Sequence, residues 1–207
     1  CWVLRLSTRE MQQWFKASGL PCVIAGTCFP GIGLPYVDRD HRAACRHAVG
    51  RMTTCGHRRI ALLVPEAQKA GDVESVLGFR EGADTAGAGV EAAVTGLPAD
   101  PRAIDGVVGR LLATSRRPTA ILVTQPENYL SVFGSLARRG VGVPREISLI
   151  SCAHDSFLEH LFPQPTGYRL SPRRISDTIL RLVVEQHERG AGGGAHLLLP
   201  EFVKGGT

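Results

Sequence analysis

The chain has 207 residues, 43% of them hydrophobic and 21% charged, which suffices to bury one large α/β domain or two smaller lobes. It has no apolar stretch long enough to span a bilayer, and its six cysteines show no C-x-x-C spacing, which excludes a zinc ribbon or a compact disulfide framework. The net charge of +5 comes from pairs such as Arg58-Arg59, Arg116-Arg117, Arg138-Arg139 and Arg173-Arg174. No aromatic residues interleave with them, so they read as solvated helix ends and loops and not as a nucleic-acid surface.

In chain order, Trp2-Val3-Leu4 reads as a strand, and Ser7-Thr8 caps a helix with Met11, Trp14 and Phe15 on one face. Cys22 to Ala25 is a strand, Gly26 to Pro35 a loop and Tyr36-Val37-Asp38 a brief strand. Asp40 then opens a helix whose buried face is Ala44, Cys45, Ala48, Val49 and Met52, and Gly56 ends it. Ile60 to Val64 is continuously apolar, as in a parallel strand covered on both faces. Helices follow on Val73, Val76, Phe79, Ala83 and Ala86, on Ile104, Val107, Val108, Leu111 and Leu112, on Tyr129, Leu130, Phe133, Leu136 and Ala137, and on Ile175, Ile179, Leu182 and Val183. Between them lie strands at Ala92 to Thr95, Thr119 to Val123, Ile147 to Ser151 and Gly167 to Leu170. A flexible loop is expected at Gly190 to Gly194, followed by a terminal pair of strands at His196 to Leu199 and Phe202-Val203. This alternation predicts a parallel sheet with helices on both sides.

Ligands of such folds bind at the carboxyl ends of the strands. Those ends are Gly26-Thr27, Pro65-Glu66, Gln125-Pro126 and Cys152-Ala153-His154-Asp155. Ser151, His154, Asp155 and Ser156 cluster there without a G-x-S-x-G elbow, so they read as polar loop residues and not as a catalytic set. His154, His160, Asp155 and Glu159 match no compact metal-site spacing, and no metal or cofactor is expected. The glycine runs at 82–89 and 190–194 follow a helix or precede a strand, the wrong place for a phosphate cradle. His57 reads as a structural turn histidine.

The spacing Asp40-x-x-x-Ala44-x-x-x-Ala48-x-x-x-Met52-x-x-x-Gly56-His57-Arg58-Arg59-Ile60-Ala61 resembles the effector domain of the lactose repressor family (LacI/GalR). It is joined in order by Gly78-Phe79-Arg80, Pro118-Thr119-Ala120-Ile121, Gly140-Val141-Gly142-Val143-Pro144-Arg145-Glu146-Ile147, Pro163-Gln164-Pro165-Thr166 and a closing Leu198-Leu199-Pro200-Glu201-Phe202-Val203. The likeness runs over nearly the whole chain, from about the family's third strand onward.

The resemblance implies an α/β, two-lobed periplasmic-binding-protein-like (type I) fold with parallel sheets flanked by helices and an incomplete first lobe. It implies a partial N-terminal lobe over 1–64, a C-terminal lobe over 65–160, and a return with an N-lobe helix and terminal strands over 161–207. Hinge passages are expected near Pro65, near Asp155 to Gln164 and near the terminus. It further implies a non-enzymatic homodimer that senses a small, sugar-like molecule in the interlobe cleft. Ligand closure would couple to operator DNA through a head upstream of Cys1. Cys22, Cys45 and Cys152 in apolar runs, and an N-terminus without a leader, favour a reduced, cytoplasmic setting.

The sequence departs from the family at the pocket. Ser75 stands where an arginine commonly precedes the helix glycine by three residues, Gln125-Pro126 replaces an asparagine-aspartate pair, and Ala153 and Gly26 replace aspartates. By position, Thr27, Ser75, Gln125, His154 and Asp155 are the ligand-binding candidates. A periplasmic sugar-binding protein of a transporter shares the fold and is the alternative reading. An α/β enzyme is the third.

Overall fold

The computed structural model describes residues 1–189 and 194–207. Most of the loop expected at Gly190 to Gly194 lies outside the described residues. The elements are β1 (Trp2–Arg5), α1 (Arg9–Ser18), β2 (Cys22–Ala25), β3 (Tyr36–Arg39), α2 (His41–Thr54), β4 (Arg59–Pro65), α3 (Ala70–Ala86) and β5 (Glu91–Leu97). There follow α4 (Pro101–Ala113), β6 (Ala120–Val123), α5 (Pro126–Arg138), β7 (Ser148–Ser151), a 3-10 turn at Ser156–His160, β8 (Thr166–Arg169), α6 (Pro172–Arg189), β9 (Ala195–Leu198) and β10 (Glu201–Val203).

They form two compact units. The first is Cys1–Asp40 with Lys69–Gly71 and Leu170–Pro200; the second is His41–Gln68 with Asp72–Arg169 and Glu201–Thr207. The passages therefore fall after Asp40, around residues 69–71, after Arg169 and after Pro200. The boundary expected after Val64 is corrected. β4 hydrogen-bonds to β5 on one side and β6 on the other, so its backbone groups tie residues 41–64 to the second unit.

The first unit holds a four-stranded parallel sheet in the order β1-β2-β3-β9. Leu4, Cys22 and Ile24 pack with Phe15 of α1, while Val23 and Val37 pack with Ile175, Ile179 and Leu182 of α6. The alternation within β2 assigns its residues to opposite faces. The apolar face expected of α1 is found at Phe15 and corrected at its other two members. Met11 and Trp14 are 45% and 59% exposed, and the fully buried α1 side chain is Gln12. Its burial is tolerated because its amide donates to Ser7 Oγ at 2.9 Å and accepts from the Phe29 backbone N–H at 2.9 Å. Thr8, not Ser7, caps the helix, accepting from the Met11 N–H.

The second unit holds a six-stranded sheet in the order β10-β8-β7-β6-β4-β5. All pairs are parallel except β10 with β8. Both expected terminal strands form, but they do not pair with each other. β9 pairs with β3 in the first unit and β10 with β8 in the second, because Leu199-Pro200 carries the chain from one unit to the other. In β4, Ile60 to Val64 are buried on both faces, as their unbroken apolarity predicts. Ala61 and Leu63 face α4 and α5, whereas Ile60 and Leu62 face α2 and α3. Each of the isoleucine, leucine and valine side chains contributes about 1.5–3 kcal/mol on burial.

Local chemistry fixes the ends. α2 stops where Gly56 takes φ +93°, its N–H donating to Thr53 O while the His57 N–H donates to Met52 O. His57 Nδ1 lies 3.0 Å from Thr119 Oγ1 and so ties this turn to the start of β6. α4 and α5 are stapled by Asp105, which accepts from Arg138, Arg139 and Ser135; these bonds, Arg139 foremost, hold its carboxyl below the usual range.

Candidate functional site

The parallel strands of the second unit end together. Leu63 of β4 is in register with Val123 of β6, and Val123 with Ser151 of β7, so Glu66, Thr124, Gln125 and Cys152 to Asp155 follow along one edge of the sheet. α3 and α5 begin at this edge. The positive ends of their dipoles make it favourable to ligand oxygens.

Gln125 occupies the N-cap position of α5, with Pro126 next, yet makes no side-chain cap. Its Nε2 donates instead to Oδ1 of Asp72, 3.1 Å away in the first turn of α3. One helical turn further on is Ser75, whose Oγ lies 3.5 Å from His41 Nδ1 at the start of α2. Asp72 and Ser75 are buried. Thr124, next to Gln125, buries a hydroxyl that has no hydrogen-bond partner among the described residues. Of the predicted candidates, Gln125 is thus paired with Asp72, and Ser75, three residues further along α3, with His41.

His154 belongs to a different group. Its Nε2 is 3.1 Å from Glu159 Oε1 and 3.2 Å from Arg169 Nη2, and Arg169 donates to the same Glu159 oxygen at 2.9 Å. Asp155 precedes the 3-10 turn and accepts from the Ser156 hydroxyl. Ser151 Oγ donates to the Ala153 carbonyl. The serine hydroxyls at this strand end are therefore bonded to oxygens and not to His154. Among the described residues, no three His, Cys, Asp or Glu side chains gather as a metal site would require.

Thr27 lies in the first unit. At the end of β2, its hydroxyl donates to Asp38 Oδ2 of β3 at 2.7 Å. Reasoning from the sequence missed Asp38, Asp72 and His41. Asp72 carried one usable signal, its position three residues before Ser75 on the same helix face.

Residues 49–207 match the model of the periplasmic binding protein-like domain. The chain belongs to that family. It is similar to catabolite control protein A of Priestia megaterium, 24% identical over 200 residues that make up 95% of this chain and 60% of that protein. It thus spans less than two thirds of that relative's length. The crystal structure of the transcription regulator CcpA of Lactococcus lactis superposes with a TM-score of 0.84 at 18% identity, covering 99% of this chain and 76% of that one. A LacI family regulator from Enterococcus faecium with bound ribose superposes with a TM-score of 0.80 at 18% identity, covering 97% and 75%. The family match and these regulator relatives bear out the lactose-repressor-type resemblance, and the strand-end edge lies within the matched domain. No helix among the described residues is long and apolar enough to cross a membrane.

Proposed function

We propose that this domain senses a sugar or another small, hydroxyl-rich metabolite at the carboxyl edge of the six-stranded sheet. It binds without turnover, works as a homodimer, and passes the ligand's presence to DNA through a head elsewhere in the full-length protein. The observation that carries this reading is the Asp72–Gln125 pair beside Ser75, His41 and the unpartnered Thr124 hydroxyl. These side chains offer acceptors and donors where two helix N-termini meet, the arrangement that hydroxyl groups require. The Enterococcus faecium neighbour, which holds ribose on the same fold, supports the ligand class. His154 and Asp155, at a strand end of this edge, are further candidates for contact with the ligand, and Thr27 is the candidate that the first unit supplies.

A thermal-shift screen of the chain with sugars and nucleosides tests the proposal. A true ligand at about 100 times its Kd adds about 2.7 kcal/mol, or roughly 5–10 °C in melting temperature. Gln125→Ala is expected to abolish that shift while leaving the ligand-free chain folded. Stabilisation by no compound, or an equal shift in Gln125→Ala, would sink the reading.

A further inference from the structure

The second unit buries two thiols side by side. Cys45 of α2 and Cys152, the first residue after β7, place their Sγ atoms 3.5 Å apart, at 0% and 2% exposure. Neither is in a disulfide. A disulfide requires about 2.05 Å between the sulfurs, so closure asks for roughly 1.5 Å of movement. Cys45 sits in a helix packed on the sheet and has little freedom. Cys152 lies at a bend just beyond the last β7–β8 partners, Ser151 and Gly167, with its N–H still donating to Val123 O at 2.8 Å, so the approach falls to rotation of its side chain. The surrounding core comprises Ala48, Met52 and Tyr168, the last held by His47 Nδ1 at 2.7 Å from its hydroxyl.

We propose that Cys45 and Cys152 form a thiol–disulfide switch that staples α2 to the carboxyl end of β7 when hydrogen peroxide oxidises them. The Cys152 sulfur attacks one peroxide oxygen, the S–O bond forms and the O–O bond breaks, and the departing hydroxide takes the thiol proton as water. The Cys45 sulfur then attacks the resulting sulfenic sulfur. The S–S bond forms, the S–O bond breaks, and the oxygen leaves as a second water with the Cys45 proton. Two thiols are oxidised and one peroxide is reduced. The bond restrains the start of the Cys152-Ala153-His154-Asp155 segment, one of the strand ends along the polar edge.

The test treats the intact chain with hydrogen peroxide, alkylates the remaining thiols in denaturant, and maps peptides by mass before and after dithiothreitol. The expected result is one pair of peptides linked through Cys45 and Cys152, two hydrogens lighter than the reduced pair and separated by the reductant. Hydrogen exchange over residues 152–155 is expected to slow several-fold in the oxidised chain, and to be unaffected by peroxide in Cys45→Ala. Separate alkylation of both thiols after oxidation, or a sulfinic acid at Cys152 with Cys45 still reduced, would overturn the pair. A linked pair with unchanged exchange over 152–155 would overturn the switch. The wild-type peptide map stands even if the variant folds poorly.

Discussion

Gly78 is the residue on which the packing of α2 against α3 turns. A Cβ built there would fall 2.1 Å from the Arg42 carbonyl oxygen, a contact with backbone that no rotamer change relieves. Gly78→Ala is therefore expected to cost about 3 kcal/mol, seen as a lower urea midpoint. Gly82→Ala, which meets Val49 Cβ at 2.8 Å and the Arg46 carbonyl oxygen at 3.1 Å, should cost less because both approaches are longer. A second prediction concerns protons. Burial pushes the His47 imidazole below its ordinary value, with the nearby Arg51 charge adding to the effect, and burial does the same to His57. The folded state thus prefers neutral imidazoles, while the unfolded chain takes up protons below about pH 6.5. This part of the stability is complete above pH 6.5 and is lost as pH falls through the depressed folded values. The urea midpoint should drop between pH 7 and pH 5, and His47→Phe should shrink the drop; a midpoint unchanged over that interval would refute the assignment. The site was legible only in part at this scale. Gln125 could be placed from a strand end, and Ser75 through the family resemblance. Asp72, one turn before Ser75, was missed because its partner stands 53 residues away and side-chain pairing between elements leaves no periodic trace.

Elements were easier to read where one period ruled. β4 and α4 appear as expected, since an unbroken apolar run and a 3.6-residue stripe each have one satisfactory burial. α1 shows where that logic stops. Its aromatic residues predicted an inward face, and Phe15 does pack on the core, yet Trp14 meets that ring edge-on at 5.0 Å while itself exposed, and Trp2 lies 5.9 Å from it. Hydrogen bonds share with apolarity in setting which face of α1 points inward: Gln12 holds both Ser7 before the helix and Phe29 in the loop after β2. Gln12→Leu would leave the Ser7 hydroxyl and the Phe29 N–H without these bonds, and should destabilise the first unit by about 2 kcal/mol despite its greater hydrophobicity. Thermal or urea unfolding followed by tryptophan fluorescence measures this, and a variant as stable as the parent would contradict it. The terminal strands were misassigned for a related reason. Two short apolar runs separated by Leu199-Pro200 resemble a hairpin, but sequence spacing does not reveal that each edge belongs to a different sheet.

At the scale of the whole molecule, the two units are unequal. The second has six strands and apolar cores on both faces of its sheet; the first has four strands and two small clusters, with Trp2, Leu6 and Trp14 more than half exposed. Because smaller cores bury a smaller fraction of their chain, the first unit should reach its unfolding midpoint earlier. The sequence supplies the means to observe it. Both tryptophans, Trp2 and Trp14, lie in the first unit, so tryptophan fluorescence reports on that unit alone. Far-ultraviolet circular dichroism reports on both, weighted toward the second, which contains α2, α4, α5 and most of α3. In urea the fluorescence transition is expected to precede the dichroism transition, and Gly78→Ala, which acts within the second unit, should move only the latter. Coincident transitions that shift together in the variant would show instead that the units unfold as one, because non-coincidence of probes is what separates two cooperative blocks from a single two-state fold.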